Sequence, residues 1–204
     1  MAVTNGYCTT AELREHFRDT GSELTTELLE RAINATSRAI DRHCGRRFWQ
    51  DSAVQAKVYR ADDAYELDVD DISTTTGLII ATDTTGDGSY ATTWAPSDYQ
   101  LEPLNADTES TAHAWWRVVA IDGELFPVSA RRATVRVTAR FGWSAVPDMV
   151  TEACILRAAA LFKRKEAVFG IAGLNGFGEV RITRRDPDVM ELLHPFIKIR
   201  VGAV

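Results

Sequence analysis

The residues of this chain that could do chemistry are four histidines, three cysteines, a dense acidic stretch and one glycine-rich run. His43-Cys44 sets a base beside a thiol nucleophile. Both fall at the end of a helical pattern, where consecutive side chains point about 100° apart. They cannot pair as an activated dyad does, and they read as a helix-end histidine and a buried thiol. His16 also falls on a predicted helix, and His113 and His194 complete the set. Cys8, Cys44 and Cys154 are widely spaced and odd in number, with no C-x-x-C. A zinc site needs about four clustered ligands, so these cysteines read as free, mostly buried thiols of a reducing compartment.

The acidic stretch is Asp62, Asp63, Glu66, Asp68, Asp70 and Asp71. Paired carboxylates could bind a metal or run acid–base hydrolysis, but that needs a cleft and convergent geometry. Strand alternation puts Asp68 and Asp70 on one polar, solvated face. The segment from Asp83 to Gly88 loosely resembles a calcium loop without the alternating oxygens or the closing Glu; a hairpin turn is expected. The run from Gly170 to Gly178 has the form G-x-x-G-x-x-G-x-G. It lacks Gly-Lys-Ser/Thr and follows a helix instead of a strand, so it is no phosphate cradle. Gly170, Gly173, Gly176, Phe177 and Gly178 read as a flexible assembly loop. Lys163, Arg164 and Lys165, with Arg181, Arg184 and Arg185, are the one local positive concentration. A solvated helix end is the plain reading; contact with a partner protein or with passing DNA is the sharper one. Trp49, Trp94, Trp115, Trp116 and Trp143 read as core or sheet-packing residues, with a share for subunit interfaces.

These groups must be positioned by helices at both ends and strands between. Thr9-Thr10-Ala11-Glu12 is a capping box ahead of a short helix with Leu13 and Phe17 on one side. Thr20-Gly21-Ser22-Glu23 repeats the pattern before a longer helix. Its stripe is Leu24, Leu28, Ala32, Ala35 and Ala39, widened by Leu29, Ile33 and Ile40, and Gly45 stops it. Residues 48–143 carry β-like runs separated by turn signals: 54–60, 67–72, 77–81, 89–94, 99–101, 115–119 and 133–139. Pro147-Asp148 opens a helix to about Phe169 with a slim surface at Ala158-Ala159-Ala160. Glu179–Thr183 reads as a strand and Val189–Leu193 as a last short helix. The tail Phe196, Ile197, Lys198, Ile199, Arg200, Val201 alternates apolar with basic residues, a pattern suited to adding a strand to a sheet edge.

The expected fold is therefore α+β. Residues 1–47 and 144–204 form a helical bundle core in which the two Ala-rich helices clasp each other. Residues 48–143 form a large antiparallel β insertion, a small sandwich or barrel. Composition agrees with a globular chain: 45% hydrophobic, 25% charged, net charge -6. Proteins that grip phosphates usually carry a basic face or excess. No apolar run approaches the ~20 residues that span a bilayer, and the N-terminus has no signal-peptide pattern, so no membrane partner is expected.

Taken in order, several of these segments resemble the head–tail connector (adaptor, or head-completion) proteins of long-tailed phages. They are Tyr7-Cys-Thr-Thr-Ala-Glu-Leu13, Ile33-Asn-Ala-Thr-Ser-Arg-Ala-Ile-Asp41 with Cys44-Gly-Arg-Arg-Phe48, Leu67-Asp-Val-Asp-Asp-Ile72, Gly86-Asp-Gly-Ser-Tyr90 with Trp94, Val135–Pro147, and Ala160-Leu-Phe-Lys-Arg-Lys165. The resemblance covers nearly the whole chain, and the β insertion makes this chain longer than the mostly helical members. It implies a structural virion protein of the neck, made in the bacterial host cytoplasm, with no catalytic residue, metal or cofactor. It further implies a ring, usually of twelve copies, that docks under the portal protein, completes the head, lets double-stranded DNA pass without sequence-specific binding, and offers a platform to a stopper or tail-side neck protein. Phe196–Val201 is expected to engage the portal or a neighbouring subunit, and the 170–178 loop to reorder on assembly. The rival readings are another neck ring (a stopper or tail terminator), a small hydrolase using Asp68 and Asp70, and a DNA-binding accessory protein using Lys163 and Arg164.

Overall fold

The computed structural model describes residues 2–17, 25–168 and 186–198. The chain divides into two compact units, Met1–Arg46 with Val146–Val204, and Arg47–Ala145.

In the first unit, α1 spans Thr10–His16 and opens on the expected capping box. The Glu12 amide donates to Thr9 Oγ1 at 3.1 Å, and the Thr9 amide donates to Glu12 Oε2 at 2.7 Å. Two otherwise orphaned donors are thus satisfied reciprocally. Helix α2 spans Thr26–Cys44 and ends on Gly45, whose φ of 66° is the left-handed conformation of a glycine stop. The capping pattern at residues 20–23 lies outside the described residues. The buried face of α2 is Leu29, Ile33, Thr36, Ser37, Ile40 and Cys44. The alanine stripe is not that face: Ala32 and Ala39 are half-buried and Ala35 is exposed. A leucine or isoleucine removes far more apolar area from water than an alanine, so the helix turns its branched side chains inward and leaves the alanines at the flank.

Helix α4 spans Asp148–Val168 and buries Val150, Ala153, Cys154, Ile155, Ala158 and Ala159. It packs against α2, α1 and α5 (Pro187–Leu193). Asp186 caps α5 by accepting the Asp188 amide at 3.1 Å, with Pro187 in the first turn. The expected strand at 179–183 lies outside the described residues.

The second unit is built on strands β1 (Gln55–Tyr59), β2 (Glu66–Thr82), β3 (Thr92–Thr93), β4 (Tyr99–Glu102), β5 (Trp115–Ala120) and β6 (Val135–Phe141), with a one-turn helix α3 (Ala106–Glu109). All pairings are antiparallel and the order is β1-β6-β2-β5-β4, with β3 on β2. The runs at 67–72 and 77–81 are one strand of 17 residues. Its first part pairs with β5 and its second with β6, changing partner at Ile72 through shifts of register. Gly77, at φ 79°, supplies a conformation that side chains resist. The sheet is open: β1 and β4 form its two edges and do not pair. This corrects the expected sandwich or barrel. Closure needs the edge strands to meet with matched tilt and stagger. Here connecting segments cover the apolar side instead. Trp94 and Phe126, stacked at 4.6 Å, join Leu67, Val69, Ile72, Val118, Val137 and Phe141 in one core.

The two ends of this unit are tied together. Gly142 has φ 108°, and a Cβ there would lie 2.0 Å from the Trp49 carbonyl oxygen. The Asp51 amide donates to the Phe141 carbonyl at 2.8 Å, and the Phe48 and Trp143 rings lie 5.3 Å apart. Trp143 Nε1 donates to Asp71 at 3.0 Å.

Candidate functional site

The acidic stretch is dispersed by ion pairing and capping. Glu66 and Asp68 flank Arg117, each at 2.8 Å, and Asp70 takes Lys57 at 2.7 Å. Asp62 pairs with Arg60 at 2.8 Å. Asp63 accepts the amides of Tyr65 and Glu66 at the turn into β2. Asp71, one step past the alternation, is buried and holds Trp143. Glu66 and Asp68 share the Arg117 guanidinium while Asp70, Asp62 and Asp63 face other cations and amides, so every carboxylate of the strand face is held by a donor, which is the arrangement of a polar sheet face. Among the described residues no three His, Cys, Asp or Glu come close enough to hold a metal. No helix among them is long and apolar enough to cross a membrane.

The Asp83 loop is a turn, as its residues suggested. Asp83 Oδ1 accepts the Gly86 amide and Oδ2 the Gly88 amide, both at 2.7 Å, and Thr85 adds its hydroxyl at 3.2 Å. The carboxylate oxygens are spent on the loop itself and not on a cation. Burial opposes ionisation there, but the donated amides and hydroxyl outweigh it and hold the Asp83 carboxyl below its ordinary range.

The histidines do no better as bases. His43 Nε2 is buried without a hydrogen-bond partner among the described residues, and burial pushes the neighbouring Cys44 thiol up to about 11. His113 and Ser144, unnoticed in the sequence because 31 positions separate them, lie side by side: Nδ1 is 3.2 Å from the serine oxygen. That serine hydroxyl donates to the Thr111 carbonyl at 2.7 Å, and the His113 ring nitrogen also meets the Ser110 carbonyl at 2.9 Å. The one hydroxyl proton is committed to backbone, so the pair staples a loop and does not activate a nucleophile.

Of the expected tail, Phe196 closes a 3₁₀ turn over His194–Phe196, so the segment does not begin as a strand. The proline at its second position and the close of α5 favour a tight turn over extension. Lys198 then donates its amide to the Cys44 carbonyl at 2.8 Å, filling one of the acceptors left open at the end of α2. Phe196, Ile197 and Lys198 are all half-buried. Ile199, Arg200 and Val201 lie outside the described residues, as do Gly170, Gly173, Gly176, Phe177, Gly178, Arg181, Arg184 and Arg185. Lys163, Arg164 and Lys165 fall on the last turns of α4, where only the backbone is described.

The first unit also contains a contact that spacing could not reveal. Cys8 and Cys154, 146 positions apart, bring their sulfurs to 3.5 Å. Contact with Cys154, added to burial, pushes the Cys8 thiol up, whereas the proton that Cys8 donates holds Cys154 below the ordinary thiol value.

No protein-family model and no curated protein sequence matches the chain. Solved structures do match. One is a chain from the neck of an empty gene transfer agent particle, computed with C6 symmetry: 20% identity, TM-score 0.57, covering 100% of this chain and 96% of that one. Another comes from the virion of a native gene transfer agent particle, with TM-score 0.51 and the same identity and coverage. The chain thus shares its fold, across nearly the full length of both partners in each comparison, with chains of gene transfer agent particles.

Proposed function

We propose that this chain is a structural protein of a virion neck, a head–tail connector whose copies form a ring below the portal. The ring completes the head, lets DNA pass, and gives a stopper or tail-side neck protein its docking platform. The observation that carries this reading is the full-length likeness to a chain of a gene transfer agent neck. The chemistry of the chain supports it. A net charge of -6 keeps a channel wall from holding phosphates and stalling transit. The carboxylates of β2 are engaged in ion pairs and turns, as suits a scaffold. In this reading the helices of both termini are the core on which head-to-tail contacts close a ring by rotation. Twelve copies is the expected number, a multiple of the six-fold symmetry used for the neck that contains the neighbour.

The portal contact is assigned to the tail, with Phe196–Lys198 as its anchor at the end of α2 and Ile199, Arg200 and Val201 as the reaching part. The 170–178 loop reorders on assembly, and Lys163, Arg164, Lys165, Arg181, Arg184 and Arg185 face partner or channel. The test is to add purified protein to DNA-filled, portal-bearing heads that lack neck proteins and to image them by cryo-electron microscopy. A twelve-membered ring under the portal is expected. Failure to bind heads, or a ring seated only on the ends of isolated tails, would overturn the connector assignment; the second outcome would favour a tail terminator.

A further inference from the structure

The helical unit carries a pair of thiols for which the neck role has no use. Cys8 sits just before the cap of α1 and Cys154 lies in α4, with sulfurs 3.5 Å apart. Both are buried, Cys8 at 6% exposure and Cys154 at 0%. Ser37 lies alongside, its oxygen 3.7 Å from the Cys154 sulfur. That hydroxyl gives its one proton to the Ile33 carbonyl at 2.8 Å and accepts the Tyr7 amide at 3.0 Å. The Cys154 thiol proton therefore points to Ser37, which leaves sulfur lone pairs directed at Cys8. The third thiol is out of reach. Cys44 is seven residues beyond Ser37 on the same helix, about 10 Å along its axis.

Access comes from a cavity of about 420 Å³ lined by Val3, Gly6, Tyr7, Cys8, Thr9 and Thr151, among others. It is many times the roughly 30 Å³ share of one water, so a small oxidant has room beside Cys8. Bonding the sulfurs means closing from 3.5 Å to about 2.05 Å, a displacement shared by two side chains.

We propose that Cys8 and Cys154 form a redox-modification site, at which a peroxide converts the two thiols to a disulfide. In the first step Cys8, the thiol that lines the cavity, attacks one peroxide oxygen as it gives up its proton, which burial and Cys154 hold on the sulfur until then. The O–O bond breaks, Cys8 becomes a sulfenic acid, and its thiol proton leaves with the departing oxygen as water. In the second step the Cys154 sulfur attacks the Cys8 sulfur. The S–O bond breaks, the S–S bond forms, and the released hydroxide takes the Cys154 proton and departs as a second water. Two thiols are oxidised and one peroxide is reduced.

The product changes what holds the N-terminal segment. Residues 2–9 are tied to α2 by hydrogen bonds: Thr4 and Ala2 to Asn34, Tyr7 to Ser37, and Asn5 to Arg38. The disulfide adds a covalent tie to α4, so the segment straps both helices together.

The experiment treats the full-length native protein with a modest excess of hydrogen peroxide and quenches with catalase. The protein is then denatured, alkylated, and analysed by intact mass and non-reducing peptide mapping. The expected product is monomeric and takes up one alkyl group where the untreated protein takes up three, with Cys8 joined to Cys154, two hydrogens lost in the bond, and Cys44 alkylated. Its Tm rises by about 5–10 °C and returns on reduction. A Cys44→Ser variant gives the same cross-link, and a Cys154→Ser variant gives none. Three alkylatable thiols after treatment, Cys8 carried on to a sulfinic acid without cross-linking, a bond to Cys44, or only intermolecular dimers would each overturn the assignment. Every readout is made on the isolated chain, so failure here leaves the neck reading untouched, and failure of that reading leaves the cross-link standing.

Discussion

Asp83 is 1% exposed, yet its carboxyl is held below its ordinary range, because the amides of Gly86 and Gly88 and the Thr85 hydroxyl all point at it. Asp83→Asn keeps the shape but turns one acceptor oxygen into a donor, facing an amide that also donates. The variant is expected to melt about 5 °C lower than the parent at pH 7. The sign of the pH dependence follows from the direction of the shift. A carboxyl lowered by folding contributes its full stabilisation above the ordinary value of 3.8 and loses it as pH falls through the lower folded value. The gap in Tm between parent and variant should therefore close in acid, below about pH 3.8. A gap that stays constant from pH 7 to pH 3 would mean that charge has no part in holding the loop. The residue types of this turn were readable from spacing alone, because Asp83, Gly86 and Gly88 bond within five positions of one another. Ser144 with His113, and Cys8 with Cys154, were not readable, because nothing local marks partners 31 or 146 positions away.

Glycines 86 and 142 separate two costs at the level of strands and turns. Both have positive φ, at 73° and 108°. A Cβ on Gly86 meets open space, whereas one on Gly142 would overlap the Trp49 carbonyl at the junction of the unit's two ends. Gly86→Ala is expected to cost about 1–2 kcal/mol, the ordinary price of a left-handed side chain. Gly142→Ala adds a clash with backbone that cannot swing away and should exceed about 3 kcal/mol. Urea titrations followed by tryptophan fluorescence would measure both, and equal losses would contradict the close approach. The same contrast explains what the elements disclosed beforehand. The capping box of α1 was legible because its two partners lie three residues apart. Strand β2 was read as two pieces because its alternation fails at Asp71-Ile72-Ser73, all buried, where it changes neighbour from β5 to β6. On α2 the alanine stripe misled because Thr36 and Ser37, polar by type, belong to the buried face. Ser37 is there to accept the Tyr7 amide, a demand set by a segment thirty residues away.

For the molecule as a whole, the fold is kept against the gene transfer agent chains at 20% identity, because packing preserves pattern and volume more closely than residue identity. The ordered signature of turns and apolar runs was therefore legible where no single motif was. The glycine run and the basic cluster are legible only as composition, which does not specify what they meet. The tail is where this can be tested by the chain's own architecture. The Lys198 amide fills an acceptor at the end of α2, so a cut before Phe196 removes a structural anchor together with any docking strand. A cut after Lys198 removes only the segment proposed to reach the portal. Deleting residues 199–204 is expected to leave Tm within about 1 °C of the parent and to reduce attachment to portal-bearing heads at least tenfold. Deleting residues 196–204 should lower Tm by several degrees and abolish attachment. Co-sedimentation with heads, read beside a melting curve for each truncation, separates the two effects. Undiminished attachment by the shorter deletion would remove Ile199, Arg200 and Val201 from the portal contact. A several-degree loss of Tm on that same deletion would show that the helical unit extends its anchoring beyond Lys198.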